Sequence, residues 1–76
     1  MSESSATIDV RDMLCAQALA ETDRAMKRLA AGETLIVICN APDVRDDLAA
    51  WALSAHHTLA TDARGEDIWM WIRKGG

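Results

Sequence analysis

Phenylalanine and tyrosine are missing from this 76-residue chain, and proline occurs once, at position 42. Cysteine occurs twice, at 15 and 39, far below the density of a disulfide-stapled secreted scaffold. No apolar run approaches the roughly 18–20 residues that span a bilayer, so no membrane contact is expected. The opening MSESSATIDV lacks the basic start and apolar core of a signal peptide, which makes a soluble cytoplasmic protein the expectation. A basic excess is lacking too: eight Lys and Arg against twelve Asp and Glu leave a net charge of −4. That balance speaks against direct nucleic-acid binding, although Lys27–Arg28 and Arg73–Lys74 are local basic pairs. A chain this short holds one small core, so no deep cofactor pocket is expected and any chemistry belongs on the surface or in a shallow groove.

What is present is an ordinary globular composition, 50% apolar and 26% charged, with three Trp as its aromatics. Residues 1–5 are polar and serine-rich and read as a disordered tail, leaving a single domain over 6–76. Residues 6–11 alternate, Ile8 and Val10 on one face and Asp9 and Arg11 on the other, as in a half-buried strand. From 16 to 31 the period turns helical: Leu19, Met26 and Leu29 share a stripe with Ala18, Thr22 and Ala25, and Gly32 stands at the expected stop. Residues 33–39 form the strongest strand signal. Asp43 is positioned to cap a second helix running to 55, which would bury Val44, Leu48, Trp51, Ala52 and Ala55. Residues 56–62 and 67–74 read as two further strands around the turn ARGE. Right-handed crossovers put both helices on one face. The fold expected is an α/β (α+β) two-layer sandwich, βαβαββ, with a four-stranded mixed sheet, two helices on one face and the other face bare.

Cys15 falls where the first strand gives way to the first helix. A helix start is where a thiolate is easiest to form, yet free cysteine is also among the most buried residue types, and position alone leaves both readings open. Cys39 ends the second strand on the same sheet edge, as a core residue or as a resolving thiol for Cys15. His56 and His57 are adjacent with no third ligand spaced to join them, so a helix-to-strand turn is expected and no metal site. The acids of VRDD (44–47) read as a helix's first turn.

Asp9, Arg11, Leu14 and Cys15 fall in register with an opening D-x-R-G-x-x-C-P-x-P, followed by Gly32, Leu35–Val37, Pro42, the pair Asp47–Leu48, His57, Ile72 and Lys74. On these residues the chain resembles the TusA/SirA-like family of sulfur carriers over nearly its whole length. It departs from the pattern in three places. Cys15-Ala16-Gln17-Ala18 replaces C-P-x-P, Asp12 stands for the glycine after the Arg, and His56 stands for the glycine before the His. Ala is a good helix former, so these changes bear on the cysteine loop and its partners rather than on the fold.

The resemblance implies that Cys15 accepts sulfane sulfur as a persulfide from a cysteine desulfurase or rhodanese-like donor. It would then pass the sulfur to an acceptor protein, for tRNA thiolation, sulfur oxidation or cofactor synthesis. That makes the chain a sulfurtransferase-type carrier if Cys15 is reactive. Arg11 is the candidate for stabilising the thiolate, with Asp9 and Asp12 working against it. The competing reading is a non-catalytic interaction or regulatory module that keeps the fold with a relaxed cysteine motif. The same register turns Ile68, Met70, Ile72, Leu35 and Val37 toward the helices. Trp69, Trp71, Ile36 and Ile38 then lie on the bare sheet face as a candidate surface for a partner or for self-association.

Overall fold

The computed structural model describes residues 5–75. Residues 1–4 of the expected tail and Gly76 lie outside the described residues, and Ser5 opens the first strand. The elements run β1 (Ser5–Asp9), α1 (Cys15–Lys27), β2 (Thr34–Cys39), α2 (Pro42–Ser54), β3 (Thr58–Arg64) and β4 (Asp67–Arg73). They build a four-stranded sheet of order β1-β2-β4-β3. β1 and β2 are parallel, as a helical crossover requires, and the β2–β4 and β3–β4 pairs are antiparallel.

Alternation along the strands sets the two faces. Leu35, Val37 and Cys39 of β2 and Met70 and Ile72 of β4 are fully buried. They join Ala18, Thr22 and Met26 of α1 and Val44, Leu48 and Ala52 of α2 in one buried layer between the sheet and both helices. Thr22 is the polar member, and its hydroxyl donates to the Ala18 carbonyl at 2.8 Å. Trp51 and Leu19 close the rim, half-buried, while Ala55 is exposed rather than part of the helix stripe.

Several boundaries shift from the sequence expectation, each for a local reason. β1 stops at Asp9, because Arg11 and Asp12 form a turn. α1 begins at Cys15 and ends at Lys27, four residues before position 31. Beyond it the Ala30 amide donates to the Glu33 side chain, and the Lys74 ammonium takes the Leu29 carbonyl, so side chains replace a last helical turn. Gly32 (φ +89°) serves the following turn rather than the helix cap. α2 starts at Pro42 with Ala41 at the N-cap, and Asp43 sits in the first turn instead of capping it. β3 starts at Thr58, because His56 and His57 terminate α2.

Candidate functional site

The site is assembled from two loops at the carboxyl edge of the parallel pair. After β1 the Val10 amide still donates to the Ile38 carbonyl at 2.9 Å, and the Met13 amide closes a turn on the Val10 carbonyl. Between them Asp12 adopts φ +64°, the left-handed conformation that glycine enters most easily. Asn40, just after β2, secures it there. The Asp12 amide donates to Asn40 Oδ1 at 3.0 Å, and Asn40 Nδ2 donates to Asp12 Oδ1 at 2.9 Å. The other glycine position of the resemblance behaves alike: His56 also has φ +64°. Its amide reaches the Leu53 carbonyl and the His57 amide reaches the Ala52 carbonyl, the paired bonds of a Schellman helix end.

Cys15 is the first residue of α1 and is half-buried. It follows Leu14, an extended N-cap residue with no side-chain cap and 78% of its surface exposed. The free amides of a helix start favour an anion, and the Cys15 amide does pull its own thiol down. The opposing effects win. The Asp47 carboxylate accepts the thiol's hydrogen, burial disfavours the thiolate, and the charges of Asp47 and Asp43 repel it, so the thiol is raised above its ordinary value. Asp43 and Asp47 lie one turn apart on α2, which packs against α1. The acids of α2 and burial thus favour the neutral thiol, against the helix start, which favours ionisation.

Arg11 points elsewhere. Its guanidinium holds Asp9 through two bonds, of 2.9 and 2.7 Å, and reaches Asp67 of β4 at 3.2 Å. This clamp lowers the Asp9 carboxyl to about 2 and raises the guanidinium further, through the Asp9 hydrogen bonds first and the neighbouring charges next. Arg11 thus ties the start of the cysteine loop to β4, and the groups acting on the Cys15 thiol come from α2 instead. Cys39 is fully buried on the helix-facing side of β2, and burial raises its thiol. Both cysteines are free. His57 accepts the Gly75 amide on Nδ1 at 2.9 Å and lies 5.4 Å from the Trp51 ring, which gives it a structural task. Among the described residues no three His, Cys, Asp or Glu side chains group as metal ligands.

On the outward sheet face Ile36 lies opposite Trp71 and Ile38 opposite Trp69. The two indoles are 6.1 Å apart, and the Arg64 guanidinium lies 4.5 Å from one ring and 5.3 Å from the other. The alternation in the sequence brings these four residues together as expected. What it does not reveal is Asp47 beside the thiol and Asn40 beneath Asp12. The signals were acids spaced i, i+4 on a helix sharing a face with α1, and a non-glycine residue where a glycine was expected.

Fold and site together define a class: a small two-layer α/β domain presenting one half-exposed thiol at a helix start on the sheet edge. The model of the sulfurtransferase TusA family matches residues 6–74, and the chain belongs to that family. Two Bacillus subtilis proteins assigned as sulfur carriers are similar to it. YrkF is 35% identical over the whole of this chain, and YrkI is 30% identical over 96% of it. The chain spans 42% of the length of YrkF and 99% of that of YrkI. The crystal structure of a SirA-like protein from Desulfitobacterium hafniense has the same fold, with a TM-score of 0.83 at 20% identity over 93% of this chain and 99% of that one. No helix among the described residues is long and apolar enough to cross a membrane.

Proposed function

We propose that this protein carries sulfane sulfur as a persulfide on Cys15. The Cys15 sulfur attacks the terminal sulfur of a donor persulfide; the new Cys15 Sγ–S bond forms as the donor's S–S bond breaks. The electron pair of the broken bond leaves with the donor's inner sulfur, which departs as a thiolate and takes up the proton that Cys15 gives up. No net oxidation occurs. Delivery repeats the exchange, with an acceptor thiolate attacking the terminal sulfur and Cys15 leaving. Donors are desulfurase- or rhodanese-like proteins, and the acceptor decides whether the sulfur ends in tRNA, in sulfur oxidation or in a cofactor.

The observation that carries this reading is the placement of Cys15, half-exposed at the first residue of α1 with the accessible residues Leu14, Ala16 and Gln17 around it. Asp47 holds the thiol above its ordinary value, which suits a thiol kept neutral until a donor docks. The raised thiol also favours a second reading, a module that keeps the fold without the transfer. Intact-protein mass spectrometry after incubation with a cysteine desulfurase and cysteine separates the two. A carrier gains about 32 Da, one sulfur reversible by dithiothreitol and absent from Cys15→Ser. A module gains nothing at Cys15.

A further inference from the structure

Sulfur transfer at Cys15 leaves the outward face of the sheet unused, and that face has a defined layout. Its rows across β1, β2, β4 and β3 run Ser5, Thr34, Arg73, Thr58, then Thr7, Ile36, Trp71, Ala60, then Asp9, Ile38, Trp69, Asp62. Asp67 and Arg64 form a fourth row on β4 and β3, joined by Arg11 through its bonds to Asp9 and Asp67. The centre is apolar and half-buried, with Arg64 stacked on both indoles.

We propose that this face joins two copies of the chain, sheet on sheet, about a two-fold axis lying across the strands. Two copies carrying −4 each repel one another in general. On this face Asp9, Asp62 and Asp67 are balanced by Arg11, Arg64 and Arg73, so here that repulsion is offset. The balance is also polar: Arg73 marks one end, and the other end, with three Asp and two Arg, is net negative. An axis along the strands would lay β1 on β3 and set Asp9 over Asp62, like on like. An axis across the strands lays each strand on its reversed twin. Arg73 of each copy then meets Asp67 of the other, and Trp71 meets Trp69. Trp and Arg are the residues most often found anchoring protein interfaces. Four strands of five, six, seven and seven residues, about 4.8 Å apart, offer roughly 400 Å² per copy, half of a standard interface, so the dimer is weak and reversible.

Sedimentation equilibrium of the full chain, from micromolar to near-millimolar concentration, tests this. The expected result is a concentration-dependent dimer. Trp71→Thr, which keeps strand propensity, removes an anchor from both sides and abolishes it. Arg73→Glu weakens it about tenfold, through two equivalent rim contacts. Arg73→Glu combined with Asp67→Lys restores the pairing with the signs exchanged. A monomer at every concentration overturns the proposal and leaves the face to another protein. So does a dimer indifferent to Trp71→Thr, and a double variant no tighter than the single one overturns the axis. Cys15→Ser dimerises like the parent, so this test stands apart from the sulfur-transfer reading.

Discussion

Asp12 and Asn40 grip each other with two reciprocal hydrogen bonds across 28 residues of sequence, and this grip holds the cysteine loop against the end of β2. It also explains how a carboxylate side chain occupies a left-handed position, φ +64°, that the family pattern gives to glycine. A non-glycine residue there costs about 1–2 kcal/mol, which the Asn40 bonds offset. Asn40→Ala therefore costs about 1–2 kcal/mol in urea unfolding, and Asp12→Gly is close to neutral because relief of strain is cancelled by losing the Asn40 Nδ2–Asp12 Oδ1 bond and by the extra freedom of an unfolded glycine. An Asn40→Ala variant as stable as the parent would contradict this account.

His56 has the same φ, +64°, but among the described residues its side chain has no hydrogen-bond partner such as Asn40 gives Asp12. The bond from its amide to the Leu53 carbonyl belongs to the backbone and is kept in glycine. His56→Gly should thus raise stability by about 0.5–1 kcal/mol, the left-handed strain relieved less the extra freedom of an unfolded glycine. Thermal unfolding checks it, and a fall in midpoint temperature would mean that the imidazole contributes a contact.

Asp47 raises the Cys15 thiol first by accepting its hydrogen and then by charge, with Asp43 adding less. The sign follows: the folded thiol stays protonated to higher pH than an ordinary one. Replacing Asp47 by Asn removes the negative charge, so the pH profile of iodoacetamide labelling moves to lower pH and the rate near pH 7 rises. Asp43→Asn moves it the same way, but less. If Asp47 also serves as the proton acceptor, persulfide loading by a donor slows even as alkylation quickens. An unchanged labelling profile in Asp47→Asn would remove Asp47 from the site.

The element order, the faces of the strands and the helix stripe were legible in the sequence, because periods of 2 and 3.6 are local and the apolar residues keep them. Ile36 and Ile38 oppose Trp71 and Trp69 because the same alternation that buries Leu35, Val37, Met70 and Ile72 turns them outward. Cys15 could be singled out from its register and its place at a helix start. Its electrostatics could not, since they depend on Asp43 and Asp47, about thirty residues away and brought near by helix packing. Arg11 illustrates the same limit. Four residues from Cys15 in sequence, it is drawn off by Asp9 and by Asp67 of β4, 56 residues away.

The Asp9–Arg11 clamp makes a pH prediction of its own. The Asp9 carboxyl is lowered from 3.8 to about 2, chiefly by the hydrogen bonds from Arg11. The folded form therefore binds its proton less readily than the unfolded chain. The clamp stabilises fully above about pH 4, and its contribution is lost as pH falls through the folded value near 2. Asp9→Asn is consequently less stable than the parent at pH 7, by a modest amount because the pair is exposed, and the gap narrows as pH falls toward 2. Chemical denaturation at both pH values checks this. A gap that does not shrink between pH 7 and pH 2 would assign the effect to something other than the carboxylate's charge.

Cys39 offers the sharpest test of whether the site works with one thiol or two. Its side chain is fully buried on the helix-facing side of β2, and burial, more than any charge, raises its thiol. A resolving thiol must reach the surface persulfide on Cys15, which would require β2 or α2 to open. The packing argues for one working thiol, with Cys39 filling volume. Cys39→Ala then costs about 1–2 kcal/mol from the small cavity it leaves. It still gains a single sulfur on Cys15 to the same extent as the parent, read by mass spectrometry with Cys15→Ser alongside. If Cys39→Ala loads normally but no longer releases sulfur to a thiol acceptor, or if the parent forms a Cys15–Cys39 disulfide on release, the two-thiol reading replaces this one.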